Sequence, residues 1–259
     1  MGPALHADFL RLPLAHRALH DAGAQRPENS LPAIRAAIRA GLGIEIDLQP
    51  SADGVAMVFH DEDLGRLTHD TGPVNLRSAA DLQRIRVRDS AEPIPTLRQV
   101  LAEVAGRVPL LIELKDQTGT MGPTDHGLER AAAETLAGYA GPVAVMSFNP
   151  SAVGRMADLL PEVARGLTTY AFPADDFPPN AGPELNAHRL ALAGIVDFDR
   201  VGASFLSHHW RDLGRARVAE LKARGAAILC WTIRSAAEEA EARRIAQNIT
   251  FERYIPERT

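Results

Sequence analysis

Two apolar runs in this chain carry charges where a buried strand would carry none. They are Gly43-Ile44-Glu45-Ile46-Asp47-Leu48 and Leu110-Leu111-Ile112-Glu113-Leu114-Lys115. Side chains alternate between faces along a strand, so Glu45 and Asp47 share one face, and so do Glu113 and Lys115. Burying such charges singly is costly, which predicts that they pair with one another or gather round a cation. His16 and His60 each close a further apolar run. An imidazole titrates near neutral pH, so each of these rings can take or give a proton. Carboxylates and imidazoles together at strand ends suit metal-assisted acid/base chemistry.

Glu45, Asp47 and Glu113 offer oxygen ligands to one divalent cation. Such hard donors favour Mg²⁺ or Ca²⁺, whereas zinc more often recruits histidine or cysteine. A cation there would offset carboxylate repulsion and polarise a phosphoryl oxygen. Lys115, two positions beyond Glu113, faces the same side and is placed to contact a phosphate. Arg17, beside His16, can clamp a phosphate with directional donors or form a salt bridge to a carboxylate. A structural ion-pair network among inward-facing strand residues is the alternative to a site. Charged residues at strand ends of a barrel favour the site.

The chain as a whole limits the partners. Its 259 residues are 46% hydrophobic, enough for a substantial core. Aromatic residues make up only 5%, which argues against a stacking platform for nucleic acid. The formal net charge is −5 and no basic run stands out, so nucleic acid is not an expected partner. Cys230 is the only cysteine, which excludes intrachain disulfides and makes a small buried hydrophobe its expected role. No apolar stretch reaches transmembrane length, so no stable membrane insertion is expected. The first residues lack the basic segment and long apolar core of an export signal, and a cytoplasmic enzyme is expected. Oligomeric state is not legible.

Strand and helix signals alternate along the chain. Strands are expected at 12–16, 43–48, 55–60, 108–115, 143–148, 163–169, 203–207 and 226–232, with a weak ninth at 248–251. Their near-continuous apolar cores suggest a parallel sheet covered on both faces. Ser30 with Pro32 starts a helix that Gly41 ends, and Thr96 with Gln99 reads as a capping box. Ser235 with Glu238 repeats that signal, and further helices are expected at 128–137 and 213–224. Only residues 49–54 separate the second and third strands, too few for a helical crossover. Nine strands also exceed the eight of a regular barrel. The expected fold class is therefore α/β, a modified TIM (β/α)8 barrel with one strand outside the closed sheet or a helix missing. One domain over residues 1–259 is expected, with 61–95, after the His60 strand, forming a small insertion or lid.

Other signals are less specific. Trp231 ends an apolar run and suits either a wall beside substrate or core packing, and Phe148 shares that ambiguity. His208 and His209 follow a strand and either approach the pocket or face solvent. Glu28 and Asn29 precede the first long helix, where local capping is the default role.

The ordered set of short motifs resembles the glycerophosphodiester phosphodiesterase family. The matching pieces are His16-Arg17, Pro27-Glu28-Asn29, Glu45-Ile46-Asp47, Ser51-Ala52-Asp53-Gly54, His60-Asp61, Ile94-Pro95-Thr96-Leu97, Glu113-Leu114-Lys115 and Trp231-Thr232. The resemblance implies a phospholipase C-like barrel that hydrolyses glycerophosphodiesters to glycerol phosphate and an alcohol. It maps metal ligation onto Glu45, Asp47 and Glu113, acid/base chemistry onto His16 and His60, and phosphate contact onto Arg17 with Lys115 as helper. Trp231 falls in the matched Trp-Thr pair and is taken as a substrate contact. Two departures are visible. Ala18 stands where the family usually has glycine, and Phe251-Glu252 occupies the neighbourhood of a Thr-Asp pair. A lysophospholipase D-like activity, with the 172–177 segment sheltering an acyl chain, and a catalytically silent phosphate-binding barrel are the alternatives.

Overall fold

A computed structural model describes residues 1–88, 90–179 and 182–257. Its strands are β1 (Leu14–Ala15), β2 (Gly43–Pro50), β3 (Ala56–Val58), β4 (Leu110–Leu114), β5 (Val143–Ser147), β6 (Ala164–Thr169), β7 (Phe205–His209), β8 (Ala227–Ile233) and β9 (Asn248–Phe251). Helices α1 (Asp8–Arg11), α2 (Leu31–Ala40), α3 (Ala79–Leu82), α4 (Leu97–Val104) and α5 (Gly127–Leu136) occupy the first half. The second half holds α6 (Pro150–Leu159), α7 (Pro183–Gly194), α8 (Ala216–Ala223) and α9 (Ala236–Ala242).

The sheet closes because β1 pairs in parallel with both β2 and β9, with Leu14 opposite Gly43 on one side and Thr250 on the other. Eight parallel strands form the barrel in the order β1-β2-β4-β5-β6-β7-β8-β9, and β3 lies outside it, antiparallel to β2. The short 49–54 connection therefore makes a hairpin and not a crossover, and the strand in excess of eight is β3. The expected strand ends shift by a few residues, while the weakest expected strand, 248–251, forms over its full length.

Alternation along the strands sorts the core. Leu14, Leu111, Met146, Phe205 and Leu229 pack inside the barrel, closed from below by Phe9 of α1. Asn248 ties that plug down by donating from Nδ2 to the carbonyls of Phe9 and Leu12, at 2.7 and 2.6 Å. Ile44, Ile46, Leu48, Ile112 and Leu114 face outward into the layer shared with the helices. Gly166 is required by close approach, since a β-carbon there would sit 2.3 Å from the Phe205 ring.

The helix signals act as read. Ser30 Oγ accepts the Ala33 N–H, and Gly41 ends α2 at φ 64, a left-handed conformation in which glycine is unstrained. Thr96 and Gln99 form the reciprocal capping box of α4. Ser235 Oγ accepts the Glu238 N–H, but the Glu238 carboxylate reaches back to the Arg234 N–H.

Residues 61–95 carry short 3₁₀ turns at Leu64–Arg66 and Val74–Leu76, then α3, packed on a small cluster with Met57, Phe59 and Ile94. Residue 89 of this stretch lies outside the described residues. The turn after β2 holds the insertion as well as reversing the chain, because Asp53 Oδ1 accepts the Ala79 N–H at 2.8 Å. Among the described residues, no helix is long and apolar enough to cross a membrane.

Candidate active site

Because β2 and β4 pair in parallel with Asp47 opposite Glu113, the inward carboxylates of two strands meet near their C-terminal ends. Ligand oxygens of Glu45, Asp47 and Glu113 lie within 4.8 Å of one another, and all three residues are buried. Lys115 bends over them, with Nζ 2.7 Å from Glu113 Oε1 and 3.5 Å from Asp47 Oδ1. Arg17 approaches from the loop after β1, its Nε 3.7 Å from Asp47 Oδ2, while its N–H donates to Glu45 Oε2 at 2.9 Å.

These contacts divide the acids. Burial and the neighbouring charges of Asp47 and Glu113 push Glu45 well above the ordinary carboxylate range. Burial also lifts Glu113, against the pull of Lys115. Burial would raise Asp47 too, but Lys115, His60 and Arg17 outweigh it and hold that carboxylate ionised below its usual range. The Lys115 ammonium is itself disfavoured by burial, yet Glu113 and Asp47 hold it charged to higher pH than a free lysine. Three carboxylates so placed, with only oxygen to offer, fit a hard divalent cation that would relieve the repulsion lifting Glu45 and Glu113.

The histidines stand to either side. His16 Nδ1 is 2.8 Å from Glu252 Oε2, and His60 Nδ1 is 2.6 Å from Asp61 Oδ1. A carboxylate accepts only, so each Nδ1 carries the proton and each Nε2 keeps its lone pair. His60 Nε2 lies 3.2 Å from Lys115 Nζ and accepts from it. Burial lowers His16 despite its bond to Glu252, and burial lowers His60 despite the attraction of Asp47. Both rings are thereby biased toward the neutral form that can accept a proton.

His16, Arg17, Glu45, Asp47, His60, Glu113, Lys115 and Trp231 all line one cavity of about 210 Å³. Trp231 forms part of its wall, anchored by Nε1–H donating to the Ser207 carbonyl at 2.9 Å. Phe148 lines the same cavity and meets Trp231 edge to face, ring centres 5.4 Å apart. Arg234 also lines it, held by Glu252 Oε1 at 2.7 Å.

Some neighbours were not legible as site residues. Asn29 grips Asp47, donating from Nδ2 to Oδ2 at 2.9 Å and accepting the Asp47 N–H at 3.3 Å. It sits at φ 58, where asparagine is tolerated better than most residues, so its role exceeds helix capping. Glu252 lies 236 positions from His16, and no local spacing announces their pairing. Ala18 takes φ 64, keeping in this loop the left-handed turn that glycine would adopt without strain.

The sequence reading of His208 is corrected. His208 neither faces solvent nor reaches the cavity: it is fully buried, with Nδ1 2.7 Å from Thr169 Oγ1 and Nε2 3.3 Å from Asp212 Oδ2. His209 instead packs edge-on against Trp231, 5.3 Å between ring centres. Phe172 and Phe177 are buried in a cluster with Leu192 of α7, and Phe177 also lines a separate cavity of about 830 Å³ with Leu185 and Arg189. Cys230 is buried as expected, and burial pushes its thiol up to about 12.

The model of the Glycerophosphoryl diester phosphodiesterase family matches residues 16–248. The chain superposes on an Oleispira antarctica phosphodiesterase solved with the product sn-glycerol-3-phosphate, with TM-score 0.75, 25% identity and 93% of each chain covered. It is similar in fold to a Parabacteroides distasonis glycerophosphodiester phosphodiesterase, with TM-score 0.70, 20% identity, and 93% of this chain and 92% of that one covered. Bovine glycerophosphodiester phosphodiesterase 1 is 41% identical over 101 residues, which span 35% of this chain and 29% of that protein.

Proposed function

The chain belongs to the glycerophosphoryl diester phosphodiesterase family and is a metal-dependent hydrolase of glycerophosphodiesters, and from that premise we propose how its residues divide the work. The observation that carries the assignment is the convergence of three carboxylate ligands, two imidazoles and three cationic side chains on one cavity.

Glu45, Asp47 and Glu113 hold the cation, for which Mg²⁺ or Ca²⁺ suits the all-oxygen donor set. When bound, the cation supplies Lewis acidity toward a nonbridging phosphoryl oxygen. Arg17 and Lys115 neutralise charge that gathers on the phosphoryl oxygens in the transition state, and being fixed by Glu28, Glu113 and Asp47 they need no rearrangement to do so. One imidazole accepts a proton at Nε2 from the attacking hydroxyl and becomes imidazolium, and the other, entering the step protonated at Nε2, delivers that proton to the departing alcohol oxygen and returns to the neutral form. Asp61 and Glu252 fix the ring orientations and stabilise the imidazolium formed at each. Trp231 bounds the space for the glycerol or alcohol moiety. We take the substrate to be a small diester, which a cavity of about 210 Å³ at the phosphate-binding side chains fits. Residues 61–95 act as an insertion within a single domain, linked to the site through Asp61 at His60. The lone cysteine fits a reducing compartment, and we place the enzyme in the cytoplasm on that ground.

The test is turnover of glycerophosphocholine, glycerophosphoethanolamine and glycerophosphoglycerol by metal-replete protein, read as glycerol phosphate released. His60→Ala is expected to lower kcat by about 10²- to 10⁴-fold with the melting temperature little changed. No turnover across the panel overturns the substrate class, and a wild-type rate in the variant removes His60 from the chemistry.

A further inference from the structure

We propose that Arg66, in the insertion, is a positioning residue that clasps Asp61 and Glu28 and thereby sets both the His60 imidazole and the Arg17 guanidinium at the cavity. The proposal rests on the phosphodiesterase reading above for its catalytic consequence.

Arg66 closes the 3₁₀ turn Leu64–Arg66. Its Nε donates to Asp61 Oδ2 at 2.5 Å and its Nη2 to Asp61 Oδ1 at 2.8 Å. The same guanidinium reaches Glu28, Nη2 to Oε1 at 2.8 Å and Nη1 to Oε2 at 3.0 Å. Each carboxylate then continues to a cavity residue. Asp61 Oδ1 holds His60 Nδ1 at 2.6 Å, and Glu28 Oε1 accepts from Arg17 Nη1 at 2.7 Å. One unbroken line of charge-assisted hydrogen bonds thus joins a proton-transfer ring to a phosphate-binding cation. Its middle member does not line the cavity.

The geometry argues against an ordinary surface ion pair. Isolated exposed pairs contribute little, whereas a planar guanidinium engaging two carboxylates bidentately fixes direction as well as charge. Asp61 and Glu28 are themselves largely sheltered, with side chains 21% and 13% exposed, so the clasp works in a partly dehydrated rim. The turn that presents Arg66 is firm: Leu64 is fully buried, Asp63 Oδ1 accepts the Gly65 N–H at 2.8 Å, and Thr68 Oγ1 donates to the Leu64 carbonyl at 2.9 Å. The insertion is therefore coupled to the chemistry through Asp61, which holds His60, and through Arg66, which holds Asp61 and Glu28. Lysine can replace it only in part, because one ammonium does not reproduce two parallel pairs of bonds.

Arg66→Ala and Arg66→Lys are compared with wild type and with Arg84→Ala, a change in the insertion at a residue whose side-chain ion pair, among the described residues, is with Asp81 alone. Misplacing a reacting group by about 1 Å costs up to about 100-fold. The expectation is a kcat about 10- to 100-fold lower in Arg66→Ala, a partial deficit in Arg66→Lys, and none in Arg84→Ala, with melting temperatures close to wild type. Millimolar guanidinium is expected to restore part of the Arg66→Ala rate and none of the His60→Ala rate. Independently of turnover, ¹⁵N-histidine NMR should show a slowly exchanging His60 Nδ1 proton in wild type. That signal should be broadened or lost in Arg66→Ala and recovered with guanidinium. Wild-type kcat and KM with an unchanged Nδ1 signal in Arg66→Ala overturn the proposal. So does a loss of activity that follows the melting temperature and resists guanidinium. If wild-type protein hydrolyses no glycerophosphodiester, the functional reading fails, and the Nδ1 signal alone decides the clasp.

Discussion

Glu45→Gln is expected to stabilise the cation-free protein and to weaken its response to a cation. Two like charges 4.8 Å apart, the upper separation in the Glu45, Asp47 and Glu113 cluster, repel by about 3.5 kcal/mol at an effective dielectric constant of ~20. The repulsion is not shared evenly. Lys115 stands 2.7 Å from Glu113 and 3.5 Å from Asp47, and Arg17 stands 3.7 Å from Asp47. Among the described residues, no side-chain cation lies within salt-bridge distance of Glu45, whose contact is the Arg17 N–H at 2.9 Å. An amide oxygen can accept that same N–H, so the substitution removes the charge and spares the bond. Proton uptake by Glu45 relieves part of the strain in the native protein, leaving a net gain of about 1–2 kcal/mol. At about 2–4 °C per kcal/mol for a domain of this size, cation-free Glu45→Gln should melt about 2–8 °C above cation-free wild type. Saturating Mg²⁺ or Ca²⁺ at about 100 times Kd would stabilise wild type by about 2.7 kcal/mol, and the variant, short of one anionic ligand, by less. Thermal melts in chelator and across a cation titration measure both quantities. A variant that melts below wild type in chelator, or that gains equally from the cation, refutes the account of the cluster.

The other expectations concern the frame and the rim. Gly166→Ala should cost about 1–3 kcal/mol, read as a lower denaturation midpoint, because its methyl would lie 2.3 Å from the Phe205 ring. His208 is held down to about 4 chiefly by burial, against Asp212, so the unfolded chain, at 6.5, binds the proton more readily. Stability that is full above pH 6.5 should therefore fall toward pH 4, by up to about 3 kcal/mol. His208→Gln should flatten that slope in chemical denaturation series, and an unchanged slope would show that the ring is not its source. Glu252→Gln should reduce kcat about 10-fold or more by weakening the hold on His16 Nδ1, which steady-state kinetics at saturating substrate will read.

Where function and fold were readable from the sequence, a short-range rule was at work. Period-two alternation placed Glu45 and Asp47 on one face, and parallel pairing then brought Glu113 beside them. The 49–54 connection was too short for a crossover, which foretold either a missing helix or a strand outside the barrel, and β3 is that strand. Capping residues marked α2 and α4. What escaped depends on closure. The exact strand ends and helices such as α6 and α7 carry weaker local signals. Asn29 on Asp47 and Glu252 on His16 are contacts that arise only when the first strand meets the second and the last. His208 was misplaced because a strand-end histidine says nothing about which face of the sheet it takes. A one-residue change in phase sends it to the helix layer while His209 turns to Trp231.

The same closure gives meaning to the chain's departure at its C-terminal rim. β9 pairs with β1, and His16 N–H donates to the Phe251 carbonyl at 2.9 Å, so the residue after Phe251 necessarily comes up beside the His16 ring. A carboxylate in that place can hold Nδ1 whether it is carried on one methylene or two. The longer glutamate must be restrained to do so, because its extra torsion would otherwise let it swing into solvent. Arg234 Nε at 2.7 Å and Arg253 Nε at 3.4 Å both hold Oε1, leaving Oε2 for His16 at 2.8 Å. The bond to His16 comes first among the causes that hold this carboxylate ionised, ahead of the opposing effect of burial. Glu252 is thus a fixed anion behind one imidazole, as Asp61 is behind the other, and each is steadied by arginine. The rim departs from the family pattern in residue type while it keeps a carboxylate on His16 Nδ1, where the proposed proton transfer needs it.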